Sequence, residues 1–244
     1  MSPLVFSLPD GSTREVEVAQ LFNAGYAGRE QAEVAEHVAE LGRMGVPAPN
    51  VTPALYPIAP YLAMQGNSVP AQHGHTSGEA EWALVIGDDP ADPLLTVACD
   101  HTDRDLELHG VAWSKNAAPD VLGDRAWRLA DVADRIDTLR LRAWVCHVDT
   151  ADPSQTTDEQ AAYGAEELIQ DAALSALLSP AYWLDDLSRR GWLSSGTVLL
   201  SGTVTMTPGV DPYADHWRVE LYDPAVEDAL SLAYAVKRMP EPIT

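Results

Sequence analysis

The sequence has 244 residues, 46% of them apolar, and its 37 acidic against 15 basic side chains give a formal net charge of −22. Such a charge repels nucleic acids and anionic membranes, so we expect neither as a partner. No segment approaches the roughly 20 consecutive apolar residues of a membrane-spanning helix, and the N-terminus lacks a secretory pattern. We therefore expect a cytoplasmic protein, and its length favours a single domain over residues 1–244.

The N-terminal third predicts a hairpin, a helix and a proline-rich stretch. Two apolar-rich segments flank a Pro-Asp-Gly turn at residues 9–11, which indicates a β-hairpin within residues 1–20, packed onto the rest of the domain. Residues 29–42 are rich in helix formers, carry apolar residues at helical spacing and end at a glycine. Residues 46–75 contain many prolines, which favours extended, irregular chain.

Strand patterns dominate the remainder of the sequence. The apolar runs WALVIG and LLTVAC predict strands buried on both faces, and LRLRAWVCHV predicts a third strand. Residues 157–190 predict two helices, residues 196–207 another strand, and the segments HWRVELYDP and LSLAYAVKR a final strand pair. Cys99 and Cys146 lie inside apolar segments, which is typical of buried free thiols. This order of elements predicts an α+β fold with a large mixed or antiparallel sheet.

Three acidic residues lie where the buried strands begin or end. Glu79 and Glu81 are two residues apart, and the period of two directs both side chains to one face of a strand. Asp100 ends the other apolar strand, so the three carboxylates meet if the two strands are neighbours. Mg²⁺, Mn²⁺ and Ca²⁺ prefer oxygen ligands, and a bound cation relieves the repulsion between crowded acids. The pattern predicts a metal site formed by Glu79, Glu81 and Asp100.

Six segments follow one another along residues 20–210: GYAGREQAEVAEHVAEL, the prolines of residues 47–70, GEAEWALVIG, CDHTDRDLE, WSKNAAP and SGTVLLSGT. Their order and separation resemble the motifs of the fumarylacetoacetate hydrolase superfamily, and the most similar branch is bacterial, with no assigned reaction. The resemblance implies a fumarylacetoacetate-hydrolase-like mixed β-sheet roll with flanking helices. It also implies a homodimer that acts on a small-molecule carboxylate.

The resemblance assigns roles residue by residue. It implies that Glu79, Glu81 and Asp100 bind the metal, with Mg²⁺ first and Mn²⁺ or Ca²⁺ as alternatives. The other implied roles are water activation by His37 and Glu40, a place beside the metal and substrate for Lys115, and substrate contacts for Arg104 and Thr203. His37 and Glu40 lie three apart on one helix, which suits a base oriented by a carboxylate and equally suits a surface histidine with an ion-pair partner. The alternative interpretation of Lys115 is a surface lysine. Arg104 would then be paired with its sequence neighbours, and Thr203 would be an ordinary strand residue.

The implied function is a metal-dependent hydrolase of a small oxo acid or diketo acid. The expected reaction is hydrolysis of a carbon–carbon bond through an enolate that the metal stabilises, while His37 takes a proton from water. Decarboxylases, hydratases and tautomerases occur on the same fold, so the site is better specified than the reaction.

Two other interpretations remain open. In HGHTSGE, His73 and His75 precede Glu79, which is similar to the first metal motif of cupins, where such residues hold iron, manganese or zinc in an isomerase or dioxygenase. Against this, the downstream residues of a second cupin motif are absent at the required spacing, since His216 is wrongly placed. The last alternative is a non-catalytic acidic binding module that retains the fold.

Overall fold

The structure is a computed structural model that describes residues 2–43, 49–148, 164–241 and 243; of the side chains of residues 37 and 40–43 nothing is described. Its helices are α1 (Gln31–Arg43), α2 (Arg104–Glu107), α3 (Val111–Ser114), α4 (Leu129–Val132) and α5 (Pro180–Arg190), with 3-10 turns at Pro60–Leu62, Ala133–Thr138 and Leu174–Ala176. Its strands are β1 (Leu4–Ser7), β2 (Thr13–Val16), β3 (Gln20–Gly25), β4 (Ala54–Ile58), β5 (Ala63–Met64), β6 (Ser68–Ala71), β7 (Thr76–Val85), β8 (Leu94–Asp103), β9 (Asp120–Leu122), β10 (Trp127–Arg128), β11 (Arg140–Cys146), β12 (Glu167–Ala173), β13 (Thr197–Leu200), β14 (His216–Asp223) and β15 (Asp228–Arg238).

The strands form one hairpin and two larger sheets. Strands β1 and β2 pair antiparallel, as predicted for residues 1–20. The first sheet has the order β4-β3-β13-β7-β8-β9-β5, with β10 also paired to β8, and it contains both parallel and antiparallel neighbours. The second sheet has the order β12-β11-β14-β15-β6. The predicted α+β class with a large mixed sheet is therefore confirmed.

The two sheets pack face to face around a core of large apolar side chains. Trp82 of β7 and Trp217 of β14 are both fully buried in this core. A Cβ atom at Gly78 would lie 2.6 Å from the Trp217 ring and 2.7 Å from the Tyr234 hydroxyl. Glycine at this position therefore lets β7 approach the second sheet closely.

The opposite, outer face of the first sheet has two halves, and the hairpin covers one of them. Leu4 and Phe6 of the hairpin pack with Ala83, Ala98 and Leu122 in a separate apolar cluster, which fixes the hairpin on one half of this outer face. Because side chains alternate along a strand, the acidic residues of β7 and β8 lie on the same outer face, further along. The half of that face beyond the hairpin holds the candidate site.

Two predicted elements differ from the structure. Residues 167–173 form strand β12 where a helix is predicted, because pairing with β11 outweighs the helix-forming composition of this segment; residues 180–190 are helical as predicted, and residues 157–163 lie outside the described part. The strand predicted for residues 196–207 is confined to Thr197–Leu200. It stops before Gly202, whose φ of +78° leaves the β region.

The two cysteines and the helices agree with the remaining expectations. Cys99 and Cys146 are buried and free, as predicted. In the described part of the chain, every helix is too short or too polar to cross a membrane.

Candidate metal centre and active-site cavity

Three carboxylates converge where β7 and β8 run side by side. Glu79 lies directly opposite Asp100 in the antiparallel register, and Glu81 follows two residues later on the same face. All three side chains are buried, and one carboxylate oxygen of each lies within 4.8 Å of the others. The neighbouring strands expected from the sequence thus bring the three acids to one point.

Nitrogen donors hold these carboxylates in place. Lys115, which follows α3, donates from Nζ to Glu79 Oε2 at 3.1 Å and, more closely, to Asp100 Oδ2. Asn23 of β3 donates from Nδ2 to Glu81 Oε1 and Asp100 Oδ2, both at 3.1 Å. The backbone N–H of Gly202 donates to Glu81 Oε2 at 2.6 Å. A side chain at position 202 would contact the Ala24 carbonyl at 2.7 Å, so the turn that presents this N–H requires glycine.

Arg104 is held entirely by protein groups on the far side of Glu79. Its Nη2 lies 2.8 Å from Glu79 Oε1, its Nη1 donates to Glu107 at 2.9 Å, and its Nε donates to Ser77 Oγ at 2.8 Å. The position of Arg104 follows from Asp103, whose carboxylate caps α2 by accepting from the backbone N–H groups of residues 105 and 106. Arg104 therefore orients Glu79 and does not line the cavity described below.

The electrostatics of the cluster are strongly asymmetric. Burial alone would raise the pKa of Glu79, but Lys115 and Arg104 outweigh it and lower that pKa to about 2. Burial, reinforced by Asp100 and Glu79, raises the pKa of Glu81 well above its ordinary value despite Lys115 and Asn23. Burial would lower the pKa of Lys115, yet the surrounding carboxylates raise it well above normal. Lys115 thus remains a cation among three acids, of which Glu79 favours its charged form and Glu81 its neutral form.

A fourth acid, Asp120, completes the row. It lies on β9 directly opposite Asp100 and is fully buried. Its two carboxylate oxygens have no hydrogen-bond donor among the described residues. Burial raises the pKa of Asp120 well above its usual range, and the charges of Asp100 and Glu81 add to that effect. Glu79, Asp100 and Asp120 therefore form a row across three adjacent strands, in which Asp120 favours its neutral form.

The donor set fits a hard divalent cation. Asp100 Oδ1 is buried and has no partner among the described residues, so it leaves a ligand position open. The cluster offers carboxylate oxygens only, which suit magnesium, manganese or calcium better than softer metals. A cation here would favour the charged form of Glu81, since an opposite charge close by lowers the pKa of a carboxyl group.

A cavity of about 510 Å³ opens beside the carboxylates. Its wall includes Glu79 and Lys115, so one side of the cluster borders this space. Tyr26 lines it with φ of +55°, a left-handed conformation uncommon for a bulky residue. Tyr56 lines it too, and burial raises its pKa to about 12. The remaining lining residues are Ala24, Gly25, Ala27, Gly28, Glu33, Val34, Glu107, Val111, Gly202, Thr203 and Thr205.

The histidines of the cupin interpretation lie apart from this cluster. His73 Nε2 lies 3.1 Å from Asp103 and His75 Nδ1 lies 3.2 Å from Asp105, on the protein surface. Glu79, the third residue of that motif, contacts Lys115 and Arg104 instead. The cupin interpretation is therefore wrong, because the strand that follows the histidines turns Glu79 inward.

A family comparison now adds to this geometry. The family described as "Protein of unknown function (DUF2848)" matches residues 24–234, which include the three clustered carboxylates and Lys115. The chain belongs to the DUF2848 family. A sequence comparison with curated proteins gives no match.

Solved structures share the fold of this DUF2848 member. A crystal form of 2-keto-3-deoxyarabinonate dehydratase has a TM-score of 0.62 and 16% identity, over 93% of this chain and 77% of that one. The structure of 2-keto-3-deoxy-D-arabinonate dehydratase complexed with magnesium and 2,5-dioxopentanoate has a TM-score of 0.60 and 16% identity, over 94% of this chain and 77% of that one. The 4-oxalocrotonate decarboxylase from Pseudomonas putida G7, complexed with calcium and acetate, has a TM-score of 0.51 and 16% identity, over 91% and 79%. The predicted fumarylacetoacetate-hydrolase-like fold is confirmed.

Three further residues belong to the predicted site, namely Thr203, His37 and Glu40. Thr203 lines the cavity, but its hydroxyl donates to the Ala80 carbonyl and accepts from Gln170 Nε2, both at 2.8 Å. The backbones of His37 and Glu40 belong to α1, whose first turns line the cavity at Glu33 and Val34, while the side chains of both lie outside the described residues.

Several residues of the site are absent from the sequence prediction. Asn23, Asp120 and Gly202 come from strands or turns far apart in the chain, and only sheet pairing brings them together. A polar residue inside an otherwise apolar strand is the one sequence feature that indicates Asn23, in LFNAG, and Asp120, in PDVLG.

Proposed function

We propose that this chain is a magnesium-dependent enzyme of the fumarylacetoacetate hydrolase superfamily, in a bacterial branch, acting on a small oxo acid or diketo acid. The observation that carries the proposal is the cluster of three buried carboxylates, within 4.8 Å of one another, opening onto a cavity of about 510 Å³. The fold similarity to a dehydratase complexed with magnesium and 2,5-dioxopentanoate supports the metal and the substrate class.

In the proposed reaction, Glu79, Glu81 and Asp100 hold the ion. Magnesium there would supply a Lewis acid that polarises the carbonyl group of the substrate. Lys115 keeps its proton in this cluster, and its ammonium stabilises negative charge on the substrate at the cavity wall. Manganese and calcium are the alternative ions, because they also prefer oxygen ligands.

Arg104 acts through Glu79 in this proposal, whereas Thr203 can contact the substrate directly. The guanidinium of Arg104 already contacts Glu79, Glu107 and Ser77, so we assign it to positioning Glu79 and not to the substrate. Thr203 retains one hydroxyl lone pair after its two hydrogen bonds, which suits a substrate hydroxyl that donates.

Activation of a water molecule distinguishes a hydrolase from a dehydratase or a decarboxylase at this site. We propose hydrolysis of a carbon–carbon bond, with His37, oriented by Glu40, taking a proton from water. Helix α1 contributes Glu33 and Val34 to the cavity wall, and His37 follows one turn later, which supports this assignment. The second candidate is a dehydratase or decarboxylase, favoured by the names of the similar structures.

An exchange experiment tests the shared first step. Pyruvate or 2-oxobutanoate in D₂O is incubated with the protein, and loss of the proton next to the carbonyl is followed by NMR with and without magnesium. We expect magnesium-dependent exchange in the parent and a loss of about 100-fold or more in Glu81→Gln, since one ligand charge is removed. Glu167→Gln, at an exposed strand position, is the matched control and exchanges like the parent.

Two outcomes separate the alternatives. His37→Gln retains exchange but loses water addition if the hydrolase assignment is correct. Parent-like magnesium affinity and exchange in Glu81→Gln would overturn the whole proposal.

The remaining proposals concern the protein as a whole. We propose a single catalytic domain over residues 1–244, a homodimer and a cytoplasmic location. Light scattering of the purified protein tests the dimer, and limited proteolysis tests the single domain.

A further inference from the structure

The cations of the cavity are all engaged by protein carboxylates. Among the described residues that line the cavity, Lys115 is the one cation, and it bonds to Glu79 and Asp100. Arg104, just behind Glu79, uses all three sides of its guanidinium on Ser77, Glu79 and Glu107. A second substrate carboxylate, away from the metal cluster, would therefore meet no unengaged ammonium or guanidinium in the described part of this wall.

The two longer segments outside the described part have no lysine or arginine that could supply a further cation. Residues 44–48 and 149–163 contain no lysine or arginine, and the second segment contains four acids. Arg43 is the one lysine or arginine of the sequence whose side chain lies outside the described part, and it enters the test below.

The cavity wall instead carries acids and hydroxyl groups. Glu33 and Glu107 face the same space as Tyr26, Tyr56 and Thr205. A carboxylate placed among these acids loses its hydration without gaining a counter-ion, which is unfavourable. A hydroxyl group, by contrast, can donate to the carboxylates and both donate to and accept from the phenols and the threonine.

We infer that the substrate carries a single carboxylate, bound at the metal cluster, and an uncharged tail bearing hydroxyl groups, so that acids with a second carboxylate in the tail are excluded. The inference rests on the proposed function, because the cluster must first bind the oxo-acid head. It assigns Glu33, Glu107, Tyr26, Tyr56 and Thr205 to recognition of the tail.

A matched ligand series tests the inference by binding. Isothermal titration with magnesium present compares 5-hydroxy-2-oxopentanoate with 2-oxopentanedioate and 2-oxopentanoate, which share one chain length and differ in the terminal group. Oxalate, which has only the metal-binding head, tests the proposed function separately. We expect oxalate to bind only with magnesium, and the hydroxylated acid to bind about tenfold or more tightly than the dicarboxylate.

Variants locate the discrimination in the cavity. Glu33→Arg introduces a cation at an exposed position of the wall, and we expect it to raise affinity for 2-oxopentanedioate about tenfold, while the matched control Glu33→Gln raises it less. Thr205→Arg is a second site for the same test, in case the first variant disturbs α1. Oxalate affinity reports whether each variant retains the metal cluster.

The outcomes are distinguishable. If oxalate and all three oxo acids fail to bind with magnesium, the proposed function and the inference both fall. If oxalate binds but the dicarboxylate binds as tightly as the hydroxylated acid, only the inference falls; loss of that binding in Arg43→Gln would identify Arg43 as the cation responsible. An unchanged preference in both arginine variants would also overturn it.

Discussion

Strands β7 and β8 bury polar groups on both faces, but His101 and Cys99 of the inner face have hydrogen-bond partners, whereas some carboxylate oxygens of the outer face have none among the described residues. On the outer face, Asp100 Oδ1 and both oxygens of Asp120 are buried without a donor among the described residues. On the inner face, His101 contacts the Tyr234 hydroxyl at 3.0 Å and Thr76 Oγ1 at 2.9 Å, and Cys99 lies 3.2 Å from the same hydroxyl.

The difference separates a functional from a structural polar cluster. Burial lowers the pKa of His101 to about 4, so the inner network is neutral and each of its ring nitrogens has a partner. The outer cluster is charged and incompletely satisfied. Incomplete satisfaction of buried acids destabilises the metal-free protein and favours the binding of a cation. Four predictions test this contrast.

The largest effect is expected for Lys115→Met, which removes the one cation that contacts Asp100 among the described residues. We expect the free energy of unfolding to fall by about 3–5 kcal/mol without metal, because buried acids lose their partner. Magnesium should recover more stability in this variant than in the parent, measured by urea unfolding. Lys237→Met, exposed near the end of β15, should change stability by less than about 1 kcal/mol. Equal losses in both variants would contradict the prediction.

Replacing a predicted ligand should weaken the metal site specifically. We expect Asp100→Asn to lower magnesium affinity on the order of 100-fold, because one ligand charge is lost. Isothermal titration measures the affinity, and Asp124→Asn, an exposed aspartate outside the cluster, serves as the control. Unchanged affinity in Asp100→Asn would show that the carboxylates do not bind the ion.

On the inner face, Tyr234→Phe should reduce stability without affecting the metal. Loss of the hydroxyl leaves His101 Nδ1 buried without a partner, which costs about 1–3 kcal/mol. Magnesium affinity should remain within about twofold of the parent value. A drop in affinity as large as that of Asp100→Asn would mean that the two faces are not independent.

The smallest effect concerns pH. The folded pKa of Asp120 is raised, so between its unfolded value and its folded value the native state binds the extra proton, and stability falls as pH rises. Asp120→Asn removes this dependence and should stabilise the metal-free protein by at least about 1 kcal/mol at pH 8, with no gain near pH 4. Thermal unfolding across this range measures it, and a variant less stable than the parent at pH 8 would contradict the prediction.

The sequence predicts the metal cluster well because the three acids lie within two segments that are neighbours in the chain. Two acids two residues apart and a third at the end of a buried strand need only one pairing, β7 with β8, to converge. Asn23 and Asp120 depend instead on the positions of β3 and β9 in the sheet order, and no local pattern encodes that order. The segment 167–173 is a strand against its composition, because a neighbouring strand supplies hydrogen bonds that a helix would otherwise make internally.

Gln170 links the second sheet to the wall of the cavity. From β12 its side chain accepts the Ala80 N–H at 3.0 Å and donates to Thr203 and to the Val204 carbonyl, so it bridges β7 and the chain after β13. A sheet that contributes no residue to the described cavity lining therefore sets the spacing of two of its borders. Substitutions in β12 should consequently alter substrate preference without contacting the substrate. This strand is therefore a position outside the cavity at which selectivity can be engineered.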